Sequence, residues 1–157
     1  MNYKPGSFNW FLHDKIHPWY NQLAKIFSIA DRENRDIIKK SFYLVSTAYE
    51  NPDWDECTQR KWYELVPDEY SGLVSYKKAE KLVKTSATGN QGSFNWYMRS
   101  SGSFVMNMAI LILMSNDKGL DIINKMYPQM IAAFKSDDWK NPPKGFNDNV
   151  YNATLVL

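Results

Sequence analysis

Gly6-Ser7-Phe8-Asn9-Trp10 stands near the start of this 157-residue chain, and the same five residues return as Gly92-Ser93-Phe94-Asn95-Trp96. The register continues behind the motif. Phe11 falls on Tyr97, Leu12 on Met98, Asn21 on Asn107, Ile26 on Ile112 and Asp31 on Asp117. One residue is then lost from the second copy, and Asp36-Ile37-Ile38 meets Asp121-Ile122-Ile123. Asp53-Trp54 finally lands on Asp138-Trp139. Self-similarity at one spacing, in order and with a single gap, is the mark of a duplicated structural unit rather than a reused binding motif.

Each copy predicts three helices. Ser7 and Ser93 are good N-cap residues for a first short helix. It is interrupted near Pro18 in copy one and near Ser100-Ser101-Gly102 in copy two. Second helices follow over 19–30 and 103–114, then polar turns at 31–34 and 115–119. The third helices begin near Asp36 and Asp121. Their apolar residues Ile38, Phe42, Val45 and Tyr49 recur as Ile123, Tyr127, Met130 and Phe134, a helical stripe in both copies. Pro128 is expected to kink or split the second of these. Residues 104–114 have Asn107 as their one polar residue, so that helix belongs at the centre of a bundle or against another chain.

Between the copies, residues 55–91 predict two further helices. Pro67 ends the first, and Ser75 caps the second. The second turns Tyr76, Ala79, Leu82 and Val83 inward and Lys77, Lys78, Lys81 and Lys84 outward. No sustained apolar–polar alternation suggests strands. The expected fold is therefore all-α. It is one domain over 1–157, a compact helical bundle of two tandem, pseudo-two-fold-related three-helix repeats at 6–54 and 92–139. A helical linker at 55–91 joins them, and an irregular tail covers 140–157.

Composition narrows the function classes. A net charge of +2 argues against a dedicated nucleic-acid binder, whose basic excess is larger and clustered. One cysteine, Cys57, excludes an intramolecular disulfide, and the first residues lack the apolar core of a secretory signal. The longest apolar run is too short to span a bilayer. These features predict a cytoplasmic protein that makes no use of membrane. The usage of Lys over Arg, 15 to 4, fits a phage or low-GC bacterial genome.

Candidate chemistry is sparse. His13 and His17 stand four apart, the spacing of two metal ligands on one helical face, with Asp14 between them. Pro18 follows at once, no third ligand is specified, and Arg99 and Ser103 occupy the matching places in copy two. Two ordinary histidines are therefore expected, with no metal or cofactor. Glycine-rich phosphate loops are absent, and no carboxylate spacing selects an acid–base pair. An aromatic fraction of 15% suits a stiff core or an adhesive surface.

The candidate partner-binding residues are Trp62, Tyr63, Tyr70 and Tyr76, with Lys77, Lys78, Lys81 and Lys84. The first functional expectation is a non-enzymatic protein–protein interaction module, inhibitor or adaptor, working through an aromatic-rich surface. The alternative is a nucleic-acid-associated small subunit that uses the lysine-rich helix, and a second is a metal-dependent enzyme at His13 and His17. GSFNW itself is expected to be structural. Serine caps, asparagine satisfies backbone groups, and Trp10 and Trp96 are buried near Trp54 and Trp139.

Overall fold

Backbone conformation is the same where the two GSFNW motifs begin: φ is +86° at Gly6 and +87° at Gly92. Glycine adopts this left-handed region at little cost, and it turns the chain into the helix that follows. The next residue then caps. Ser7 Oγ accepts the Trp10 backbone N–H at 3.2 Å, and Ser93 Oγ accepts that of Trp96 at 3.2 Å.

The structure is a computed structural model that describes residues 3, 6–13, 16–51, 68–136 and 138–140. Helices α1 (Phe8–His13), α2 (Pro18–Ile29), α3 (Arg32–Ser41) and α4 (Tyr43–Glu50) form the first half. Helix α5 (Tyr76–Thr85) lies between. The second half contains α6 (Phe94–Met98), α7 (Ser103–Met114), α8 (Asp117–Met126) and α9 (Pro128–Lys135), and closes on a single 3-10 turn at Asp138–Lys140. The described residues are helical and closely packed and contain no strand. One isolated antiparallel bridge joins Ser71 to Ser115.

The expected split at Pro128 is present, but the helix of the first half is divided as well, so among the described residues each half has four helices rather than three. Phe42 and Tyr127 leave the helical region, with φ/ψ of −153°/98° and −137°/74°, and new helices start behind them. Pro128 explains the second break, because a proline at the first helical position lacks only an N–H that would be orphaned anyway. The first break has no proline. It swings the Phe42 ring onto Trp19, centroids 5.3 Å apart, and Tyr127 likewise meets Phe104 at 5.8 Å.

Asp31 caps α3 through the Asn34 N–H, and Asn116 caps α8 through the Gly119 N–H. Helices α2 and α7, Pro18–Ile29 and Ser103–Met114, begin and end 85 positions apart, as the two caps do.

Helix α7 occupies the centre. It packs against α2, α5 and α6 and also touches α8 and α9. Every residue from Met108 to Met114 is buried, as an all-round apolar helix requires. Its polar residue, Asn107, accepts from fully buried Gln22 on α2: Gln22 Nε2 lies 3.0 Å from Asn107 O and 3.1 Å from Oδ1.

The tryptophans of the motif do not behave alike. Trp96 is buried at 6% exposure, whereas Trp10 is only half-buried beside Phe11 and His17. Trp139 packs on Phe94 rather than Trp96, with centroids 5.1 Å apart, and its carbonyl accepts from Asn95 Nδ2 at 3.1 Å. Trp54 lies outside the described residues.

Leu111, fully buried on α7, tests the central role of this helix. Leu111→Ala is expected to cost about 2–5 kcal/mol, whereas Lys81→Ala on the exposed face of α5 should stay within about 0.5 kcal/mol. Urea unfolding of the two variants measures both.

Candidate functional site

The two histidines do not share a helix. His13 ends α1 and is exposed, its Nδ1 donating to the Asn9 carbonyl at 2.8 Å and its ring stacked on Tyr3. His17 precedes α2 and is buried at 1% exposure against Trp10 and Tyr20. The four-residue spacing therefore loses its metal-site logic, which needs one continuous helical face. Among the described residues, no three His, Cys, Asp or Glu side chains converge as a metal site would require.

Helix α5 is built as its sequence suggests. Ser75 Oγ accepts the Lys78 N–H at 3.2 Å, Ala79 and Val83 are buried, and Tyr76 and Leu82 are partly so. Lys77, Lys78, Lys81 and Lys84 all face solvent. Glu80 sits among them and pairs with Lys84 at 3.6 Å. It also accepts from the Tyr76 hydroxyl at 2.9 Å, while Lys25 Nζ stands 4.6 Å from the centroid of the Tyr76 ring. That ring already has a cation over it. Trp62 and Tyr63 lie outside the described residues.

Tyr70 has a more definite place. Its ring packs on Trp19, Tyr20 and Phe42, with centroids 4.8, 5.8 and 5.6 Å away. Its backbone is held too: the Asn116 N–H donates to Tyr70 O at 2.8 Å, and the Gly72 N–H to Met114 O at 2.6 Å. A Cβ at Gly119 would stand 2.8 Å from Tyr70 O and 2.9 Å from Trp19 Nε1, so only glycine admits this approach. The linker is thereby pinned onto the turn between α7 and α8.

Sequence reading missed two residues beside it. Tyr43 is 64% exposed and Leu73 is fully exposed. Tyr43 directly follows Phe42, whose ring centroid lies 5.6 Å from that of Tyr70. A signal existed for Tyr43, which stands one position off the apolar stripe and so faces away from the core. None existed for Leu73, an apolar residue in a glycine-containing loop.

A cavity of about 330 Å³ opens between the halves. Asn34 of α3 lines one side, Tyr97 of α6 and Phe104 and Val105 of α7 line another, and Tyr127, Gln129 and Met130 complete it. Among the described residues, no lysine or arginine lines it. The Tyr127 hydroxyl donates to Asn34 Oδ1. Tyr97 is 5% exposed, yet its hydroxyl makes no hydrogen bond among the described residues. Burial raises the Tyr97 and Tyr127 hydroxyls above the ordinary range, and the Asp31 carboxylate adds to the effect at Tyr127. Its size and its mixture of apolar walls with a few polar groups are those of a binding site. Nothing in the spacing of the sequence points to it.

No protein family, characterised protein or solved structure matches the chain.

The raised tyrosines carry a consequence for stability. An unfolded tyrosine ionises near pH 10, whereas Tyr97 and Tyr127 resist ionisation while folded. Their contribution is complete below about pH 10 and is lost as pH climbs above it. Unfolding free energy should accordingly hold steady from neutrality to about pH 9.5 and fall beyond about pH 10. Tyr127→Phe should lessen that fall and leave the share of Tyr20, Tyr70, Tyr76 and Tyr97, which burial also raises, as chemical denaturation across the range would measure.

Proposed function

We propose that this chain is a non-enzymatic protein–protein interaction module, of inhibitor or adaptor type, acting in the cytoplasm. The observation that carries the reading is the exposure of Tyr43 and Leu73, which stand one residue after Phe42 and three after Tyr70 of the Tyr70 cluster. A tyrosine supplies large contact area with a polar tip, and an apolar group raised from a pinned loop is ordered before any partner arrives. Asp68 and Glu69 immediately precede Tyr70, so acidic groups adjoin the apolar ones, and interfaces commonly combine an apolar centre with polar surroundings. None of the described helices is long and apolar enough to cross a membrane.

The platform for this surface, in our reading, is a single domain made of two tandem units over 6–54 and 92–139 that arose by duplication, with the linker 55–91 between them. An approximate two-fold rotation would relate them. Three observations support it. The aromatic pairs recur, Phe8–Tyr49 as Phe94–Phe134 and Trp10–Phe11 as Trp96–Tyr97. The corresponding helices α2 and α7 pack on each other, as do α3 and α8. Gln22 and Asn107, which correspond at the spacing of 85, meet directly, and residues near a two-fold axis meet their own counterparts.

A nucleic-acid-associated role remains the second reading, favoured by the four solvent-facing lysines on α5. The two readings separate in one experiment. Affinity capture from the native host is performed with and without nuclease, using the wild type, a Tyr43→Ala/Leu73→Ala variant and a variant with the four lysines changed to glutamine. We expect a nuclease-resistant protein partner that is lost with the first variant and kept with the second. Material released by nuclease, lost with the lysine variant and weakened steeply by salt, would instead favour nucleic acid.

A further inference from the structure

We propose that the cavity between the halves receives an aromatic side chain from an extended segment of a partner protein, one with a basic residue just before the ring. The proposal rests on the interaction-module reading for the nature of the partner. Its site is separate from Tyr43 and Leu73.

The argument starts from Tyr70. The groups that hold it, Trp19, Tyr20, Phe42 and Gly119, have counterparts 85 positions away in Phe104, Val105, Tyr127 and Asn34, and all four counterparts line the cavity. One half is thus filled by a ring from the chain's own linker, while the matching space in the other is open among the described residues. The backbone partners of the linker also have counterparts. Met114 O and Asn116 N are engaged, whereas the matching Ile29 O and Asp31 N carry no hydrogen bond among the described residues. The unpaired Tyr97 hydroxyl supplies a polar group for an incoming phenol.

The copies differ in two ways that define the partner. Asn34 has a side chain where Gly119 has none, so an incoming segment stands further out and the ring, more than close backbone pairing, provides the contact. Charge is reversed as well. Lys118 pairs with Glu69, just before Tyr70, at 3.6 Å. Its counterpart is Glu33, exposed on α3, with Asp31 close by. A segment for this site should therefore carry lysine or arginine where the linker carries Glu69.

Labelled synthetic peptides test this against the full chain by fluorescence anisotropy. The peptide Asp-Lys-Tyr-Ser-Gly-Leu-Val should bind saturably, and its Tyr→Ala form should not. It should bind about two- to fivefold more tightly at low salt than Asp-Glu-Tyr-Ser-Gly-Leu-Val, the linker's own sequence, as expected of one exposed ion pair. Glu33→Lys should reverse that preference, and Gln129→Trp, at an exposed lining position, should block both peptides while the circular dichroism spectrum is unchanged. No saturable binding at millimolar peptide, or binding indifferent to Gln129→Trp, would overturn the proposal. Loss of host-partner capture with the Tyr43 and Leu73 variant would bear on the other surface alone.

Discussion

The fold depends on enclosing one helix. Ser103–Met114 has twelve residues and no side-chain N-cap, too short to be stable alone in water. Nearly all its side chains are apolar, so no orientation on a surface would satisfy it. It is stable only when covered on every side, and α2, α5, α6, α8 and α9 supply that cover. Burial of each large aliphatic side chain contributes about 1.5–3 kcal/mol, so removing any one neighbour exposes a row of such contributions together. This ties both halves and the linker helix into one cooperative core.

The same constraint explains how polarity is distributed. The α2–α7 contact is apolar except where Gln22 reaches Asn107, and there Gln22 Oε1 is left buried without a hydrogen bond. An unmet buried acceptor costs about 1–3 kcal/mol, which a purely apolar pair at this crossing would avoid. In exchange, two polar residues at a crossing of smooth helices favour a single register, because any slide would strand both of them. At the far end of α7, Ser115 performs a related task. Its Oγ accepts from Trp19 Nε1 at 2.8 Å and donates to Leu111 O at 2.6 Å, so α2 is pinned at a second point.

Much of this was legible in the sequence, and the reasons are local. Serine caps, the proline at the start of α2 and the apolar stripe of α7 act through neighbours a few residues away, which a linear reading captures. The lysine face of α5 is legible for the same reason. The break at Phe42 was hidden because Ile38, Phe42, Val45 and Tyr49 keep helical spacing through it, and only the long-range pull of Trp19 and Tyr70 on the Phe42 ring marks the position. The caps Asp31 and Asn116 stand 85 positions apart, whereas the identities in the sequence pair Asp31 with Asp117, and a cap is settled by backbone geometry that identity alone does not carry. The cavity had no signal at all. It exists through the convergence of α3, α6, α7 and α9, and that is a property of tertiary packing.

The different fates of the two matching sites follow from two residues. Tyr70 can lie flat over the α7–α8 turn only because Gly119 lacks a Cβ, and Glu69 beside it finds Lys118. In the counterpart that the proposed duplication implies, Asn34 carries a side chain where Gly119 has none, and acidic Glu33 stands where Lys118 is basic. On that reading the linker is directed to the first site both by shape and by charge. Such discrimination needs little energy: an ion pair gained at one site and a repulsion avoided at the other add to a steric conflict that a buried backbone cannot relieve. Placing the chain's own ring in one half is what leaves its counterpart open.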